Sequence, residues 1–378
     1  MRWLFFSPVV FLIYAGICFY IGWRLLGFLR CFFPVRTLVF WLIFAVLCCV
    51  LVSINMFRHN LEFLRQAGLF WQAILLYMLM LLVLSDIFRL VLFFASRKKI
   101  ENINIYTVGA ALLLCAILIV YGAVHARSIK TVNYNMTLRG SGSDIKVVLI
   151  SDLHIGHSIG GSHIKKVVDA VNKAGPDIVF IAGDIFNGSV DAVKDLQEVI
   201  SQLRDINAPL GVYACLGNHD VDRTGFSGGS TQRIEEILKV SGITLLNDKT
   251  YKVRENLYLA GRKDARPIGM NAERKTPQEL LAGIEGTIIV LDHQPTQFTQ
   301  LEQAGAGLVL SGHTHKGQLF PATLITRAIF KRAGSTYYGY WQGQTMQAVV
   351  TSGSGFWGPP VRIATNSEVA IINLRFMP

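Results

Sequence analysis

Two hydrophobic patterns divide the chain. Before about residue 125 the apolar residues run in long blocks, at 8–28, 35–56, 69–94 and 105–124. Each is about the twenty residues that a helix needs to cross roughly 30 Å of hydrocarbon, where a helix satisfies its own backbone. From Ile145 onward the apolar runs are short, at 146–151, 178–182, 211–216, 288–291 and 308–310, and consist of β-branched and aliphatic side chains. These read as strands. Between them, residues 163–174, 190–206 and 231–240 carry apolar positions at helical spacing, with Ile164, Val167, Val168 and Val171 the clearest set. Residues 243–260 read as further strands joined by a turn at Glu255-Asn256. The pattern predicts an all-α membrane region of about four helices, residues 1–127, a linker at 128–144, and a mixed α/β domain at 145–378 large enough to bury its own core.

Composition agrees with that division. The chain has 378 residues, 52% hydrophobic and 16% charged, too apolar for a single ordinary soluble domain. The first block lacks a clear small-residue cleavage site and three more follow, so it reads as a retained span and not a signal peptide. Trp3, Trp23, Trp41 and Trp71 suit interfacial anchoring. The net charge is +11, but Arg30, Arg36, Arg58, Arg65, Arg97, Lys98, Lys99, Arg127 and Lys130 flank apolar blocks. That is the distribution of a membrane protein, so the bilayer is the expected partner and nucleic acid is not.

An even number of spans puts the amino terminus and the polar domain on one side. The Arg97-Lys98-Lys99 run marks the opposite loops as cytoplasmic, so the expected location is a bacterial inner membrane with the domain extracytoplasmic. Asp86 and Arg89 share a helix face in the third span; the readings are a headgroup or ion contact, or side chains snorkelling from an interfacial turn. Five of the six cysteines accompany the apolar blocks and Cys215 stands alone in the polar part, where no disulfide framework is possible.

The chemistry sits in five polar clusters: Asp152-Leu-His154, Gly183-Asp184, Gly217-Asn218-His219-Asp220, His293 and Gly312-His313-Thr314-His315. Each follows a strand candidate. In α/β sheets the carboxyl ends of strands border the crevice where ligands bind, so five strands deliver metal-type ligands to one rim. A lone histidine is more often a hydrogen-bonded surface residue; five coincident deliveries reverse that. Gly183, Gly217 and Gly312 each precede a ligand, where the backbone must turn sharply and approach closely. Imidazole, amide and carboxylate ligands without thiolates suit Mn first, with Fe or Zn as alternatives.

These motifs, in this order, resemble the calcineurin-like metallophosphoesterase superfamily over about residues 145–374. Ser151-Asp-Leu-His154, Gln318 after Gly312-His-Thr-His315, and the 352–362 tail ending in Pro359-Pro-Val-Arg362 are most similar to its bacterial membrane-anchored branch. The resemblance implies a four-layer α/β/β/α sandwich holding two divalent metal ions. It places Asp152, His154 and His315 on the first ion, Asn218, His293 and His313 on the second, and Asp184 between them. A metal-activated hydroxide would attack phosphorus in line, while His219 contacts the phosphate and protonates the leaving oxygen as a general acid.

Two departures stand out. Asn187 occupies the position where relatives carry a second aspartate that orients the catalytic histidine, a task open to Asp220. Lys316 replaces the glycine usual after the final histidine, either as a second phosphate or headgroup contact or as a solvent-facing side chain. Gly160-Gly161 and residues 225–229 read as loops beside the site; Phe356 and Trp357 read as an acyl groove or as core. The expected function is a membrane-anchored phosphohydrolase cleaving phosphoester or pyrophosphate bonds of a lipid-linked substrate. The superfamily's hydrolases of UDP-2,3-diacylglucosamine are one precedent, although that reaction needs a cytoplasmic domain. The competing classes are a phosphoesterase-fold metal-binding scaffold or sensor, and a regulatory domain of a membrane transporter.

Overall fold

The computed structural model describes residues 8–54, 62–96, 102–221, 230–265 and 274–377. Arg2, Trp3, Arg58, Arg97, Lys98, Lys99 and the loop at 225–229 lie outside the described residues. The chain divides into two compact units, one reaching Val124 with Gly358–Val361 counted in it, the other comprising His125–Trp357 and Arg362–Pro378.

The first unit holds helices α1 (Pro8–Leu29), α2 (Thr37–Ser53) and α3 (Glu62–Ser96), and most of α4 (Ile103–Ala126). Helices α1, α3 and α4 are long and apolar enough to cross a membrane. The block at 35–56 forms a shorter helix of 17 residues, about 26 Å at 1.5 Å per residue, so three spans are supported where four were expected. Asp86 is paired across helices. Its carboxylate accepts from Arg24 of α1 at 2.5 Å, from Tyr20 at 2.6 Å and from Arg89 at 3.3 Å. Arg24 is 4% exposed, a buried cation that the sequence reading passed over. Asp86→Leu therefore strands a charge among apolar helices and is expected to cost about 3–5 kcal/mol. The double replacement Arg24→Leu/Asp86→Leu should recover most of that in a thermal melt of the detergent-solubilised chain.

The second unit is a four-layer α/β/β/α sandwich. One sheet has the order β1 (Ile129–Arg139), β12 (Ser367–Met377), β2 (Ile145–Ile150), β3 (Ile178–Ala182), β4 (Val212–Cys215), β5 (Ile243–Leu245). The other runs β10 (Gly339–Gln342), β11 (Gln347–Val350), β9 (Leu308–Ser311), β8 (Thr287–Leu291), β7 (Leu257–Gly261), β6 (Lys249–Arg254). Strands β2 to β5 are mutually parallel, as are β7, β8, β9 and β11.

Alternation along each strand builds the layers. Val147, Leu149, Phe180 and Cys215 meet Leu259, Ile289, Leu291 and Leu310 between the sheets. The intervening residues Val148, Ile150, Val179 and Ile181 face outward onto Ile164, Val167, Val171 of α5 (Gly161–Ala174) and Val199, Leu203 of α6 (Leu196–Arg204). Beyond the second sheet, Val290 and Val309 pack on Leu280 of α8 (Pro277–Leu281) and Leu301 of α9 (Phe298–Gln303). Burial on both faces explains why these strands read as unbroken apolar runs.

Three local readings change. Residues 129–139, within the stretch read as a linker, form the edge strand β1, paired along its whole length with β12. The stretch 190–206 splits into a single turn at Val190–Ala192 and α6. Gly160 and Gly161 cap and begin α5, where a Cβ on Gly161 would meet Glu198 at 2.4 Å. Between α6 and β9 lies also α7 (Ser230–Val240), and β9 is followed by α10 (Ala322–Arg332).

Candidate metal centre

The ligand clusters leave two sheets, not one. Asp152, Asp184 and Asn218 follow β2, β3 and β4 of the first sheet, while His293 and His313 follow β8 and β9 of the second. Strand ends of both sheets thus border a common rim. Hydrophobic pattern alone does not say which sheet a buried strand joins.

The loops bind one another. The backbone N–H groups of Asp152, His154 and Ile155 donate to the carbonyls of Gly183, Asp184 and Ile185, and that of Gly312 donates to His293. The glycines permit this closeness. A Cβ on Gly217 would lie 2.3 Å from Asp184 Oδ1, and one on Gly312 would lie 1.9 Å from Ser151 Oγ. The sharp backbone turns fall on Gly183, with φ 78°, and on the ligands themselves. Asp152, His154, Asp184, His313 and His315 have φ between 48° and 70°. Such conformations cost side-chain-bearing residues about 1–3 kcal/mol each, stored strain of the kind that gathers at functional sites.

Two ligand groups result. In one, Asp152, His154 and His315 place one ligand atom each within 4.8 Å of one another; in the other, Asp184, His293 and His313 do the same. Within the first, His154 Nε2 and His315 Nε2 are 3.0 Å apart, and Asp152 Oδ1 is 3.4 Å from His315 Nε2. A single oxygen, Asp184 Oδ2, lies 3.6 Å from His154 Nε2 and 3.2 Å from His293 Nε2, between the groups. Asn218 is buried on the β4 loop, flanked by Gly217, whose N–H donates to Asp220, and His219, whose N–H donates to Asp184 Oδ1 at 2.7 Å. The His219 ring stands 5.0 Å from that of His154 and 5.7 Å from Trp357.

These residues fit divalent cations. His293 Nδ1 lies 2.7 Å from the Ala182 carbonyl, which can only accept, so Nδ1 carries the proton. Its buried Nε2 has no hydrogen-bond partner and points a lone pair at a carboxylate oxygen. Only a proton or a cation reconciles that pair, and histidine bonded through its far nitrogen to a carbonyl is the usual arrangement of a metal ligand. Without a cation the proton takes that place: burial opposes charge on His293, but Asp184 and Asp152 outweigh it and raise its pKa well above the ordinary value. Burial lowers the pKa of His154 to about 3 and pushes that of His315 well below normal, leaving both neutral and able to coordinate.

The surrounding shell holds residues whose roles the motifs did not reveal. Asp220 does not orient His219 through its carboxylate in the manner suggested by sequence. Its oxygens accept from the N–H groups of Phe186 at 2.7 Å, Gly217 at 2.8 Å and Ile185 at 3.1 Å, bracing the Asp184 loop against the Asn218 loop. Ser151 Oγ donates to Asp152 Oδ2 at 2.7 Å. Arg362 is fully buried; it donates to the carbonyls of Ser352 at 2.6 Å and Gly355 at 2.7 Å and to that of His315 at 3.3 Å, with Nη2 3.3 Å from His315 Nδ1. Burial lowers its pKa to about 10, so the guanidinium stays charged at neutral pH. The signal for it was only an arginine in a Gly- and Pro-rich tail. Lys316 sits with Nζ 3.9 Å from the centre of the Tyr338 ring. Phe356 is core, against His163; Trp357 is half-buried beside His219.

Residues 145–317 match the model of the calcineurin-like phosphoesterase family. The chain is 28% identical to an uncharacterised metallophosphoesterase of Campylobacter jejuni over 99% of both proteins. It is 33% identical to a transmembrane protein with metallophosphoesterase domain of Danio rerio, over 70% of this chain and 62% of that one. Among solved structures it is similar to a 5'-nucleotidase precursor of Thermus thermophilus, at 16% identity and a TM-score of 0.35, over 61% of this chain and 55% of that one. The chain is a membrane protein carrying a metal-dependent phosphoesterase domain of the calcineurin-like metallophosphoesterase family.

Proposed function

We propose that this chain is a membrane-anchored phosphohydrolase that cleaves a phosphoester or pyrophosphate bond of a lipid-linked substrate. Asp152, His154 and His315 would hold one divalent cation, Asn218, His293 and His313 the other, with Asp184 shared; Mn is the expected metal. The observation that carries the reading is the place of Asp184 Oδ2, within 3.6 Å of a histidine nitrogen from each group. When bound, such a cation pair supplies Lewis-acid stabilisation of phosphoryl charge and a water of lowered pKa.

The remaining work falls to the chain. Asp152 and Asp184 are held by backbone N–H groups of His313 and His219, which keeps both carboxylates oriented without side-chain rearrangement. His219 is half-buried at the rim next to Trp357, the position from which an imidazole can contact a phosphoryl oxygen and give a proton to the departing group. The apolar helices favour an amphiphilic substrate, because they confine the site to the neighbourhood of a bilayer.

The test is hydrolysis of a soluble phosphodiester and of a lipid-linked phosphoester by the full chain. Activity should vanish on thorough chelation, return with Mn(II), and fall by more than about a hundredfold in His293→Ala. Undiminished turnover after chelation would refute the reading, and preference for the soluble ester would refute its lipid part. The compact Arg97-Lys98-Lys99 run, one apolar helix before the domain in the sequence, supports an extracytoplasmic domain; protease access in right-side-out against inverted vesicles tests that orientation.

A further inference from the structure

From residue 303 to residue 367 the chain contains no aspartate or glutamate, yet Lys316, Arg327, Lys331, Arg332 and Arg362 all fall there. Arg362 is buried in the metal-centre shell. The other four lie on or next to α10.

That helix is unlike the others of its domain. It has eleven residues and buries none of them. Leu324, Ile325 and Ile329 are 56%, 61% and 58% exposed, and Phe320 just before it is also exposed. At 100° per residue Leu324, Ala328, Ile325 and Ile329 share an arc of about 140°, with Arg332 inside it and Arg327 and Lys331 along one edge. Thr323, Thr326 and Phe330, on the opposite side, are half-buried, as is Ala322 in the first turn. The helix starts directly from the loop of the metal centre. It packs on the turn His315–Gly317, so closely that a Cβ on Gly317 would lie 2.6 Å from Thr323 Cα.

An uncovered apolar arc interleaved with cations and free of carboxylates is the pattern of a helix lying in a membrane interface. The apolar side chains enter the acyl boundary and the long basic ones reach the headgroups. The chain's apolar helices tether the domain to a bilayer, so the local concentration of that surface is high. We propose that α10 docks on the surface of an anionic phospholipid leaflet and holds the His315-Lys316 turn at headgroup level. This deepens the lipid-linked substrate reading, since a phosphate carried at the surface would then reach the rim without leaving the bilayer. It rests on that reading only for the substrate.

The test uses the full chain in nanodiscs of phosphatidylcholine with and without phosphatidylglycerol, with the photo-cross-linking residue benzoylphenylalanine placed at Ile325. Mass spectrometry should find lipid adducts, enriched in the anionic lipid. Arg327→Gln/Lys331→Gln/Arg332→Gln should reduce adduct yield by about fivefold or more, while hydrolysis of a soluble phosphodiester is unchanged. Cross-linking to a second copy of the chain, absence of lipid adducts, or a yield indifferent to the three cations would overturn the proposal. Because the adduct is formed without substrate, its failure leaves the hydrolytic reading standing, and failure of lipid-ester hydrolysis leaves the docking result standing.

Discussion

Asp184→Asn is expected to remove both cations and lower phosphoesterase turnover by more than about a hundredfold. The replacement keeps the size of the side chain and one oxygen, so little repacking is required. What it removes is the negative charge whose oxygen lies 3.6 Å from His154 Nε2 and 3.2 Å from His293 Nε2. Each ligand group loses its common anion, and the imidazole groups that remain are neutral donors with weaker hold on a divalent ion. His313→Ala should behave differently, because it depletes one group and leaves Asp152, His154, His315 and Asp184 in place. Metal content per chain by mass spectrometry separates the two variants. Two equivalents retained in Asp184→Asn, together with ordinary turnover, would show that the oxygen between the groups has no bridging role.

Arg362→Met should destabilise the domain by about 3–5 kcal/mol and weaken metal binding by about 10–100-fold. The guanidinium is buried and satisfies the carbonyls of Ser352, Gly355 and His315 at once. An apolar side chain of similar length leaves those acceptors without donors in a site closed to water. Arg362 also holds the His315 backbone through its carbonyl and packs its Nη2 3.3 Å from Nδ1, which limits where the ring and Nε2 can point. Arg362→Lys should rescue little, because an ammonium is a point charge and does not reproduce the fork. Thermal melting reads the first effect. Titration of metal at a temperature where the variant is folded reads the second, and an unchanged affinity there would assign Arg362 to structure alone.

How legible these features were in the sequence depends on their range. The strands β2, β3, β4, β8 and β9 announced themselves because burial on both faces forces consecutive apolar residues, and the ligand motifs followed each strand at a fixed short distance. Two edge strands gave no such signal. β1 and β10 mix exposed with half-buried or buried positions, and β1 acquires its pairing from β12, more than two hundred residues away. Separation along the chain also hid Arg24, whose partner Asp86 lies 62 residues away on another helix. Asp220 was visible as part of a motif, but its three backbone partners exist only once two loops have met. Helix α10 escaped because its apolar residues are not aimed at a core.

Local order along the chain therefore determined the apolar helices, the buried strands and the inventory of ligating side chains, since hydrophobic period and residue chemistry are properties of neighbours. Tertiary structure alone decided that the ligands come from two sheets, that one oxygen of Asp184 stands between two groups, and that Arg362 and Asp220 hold the loops in strained turns. Those are distances between segments remote in sequence, and they come into being only when the two sheets close on their shared core.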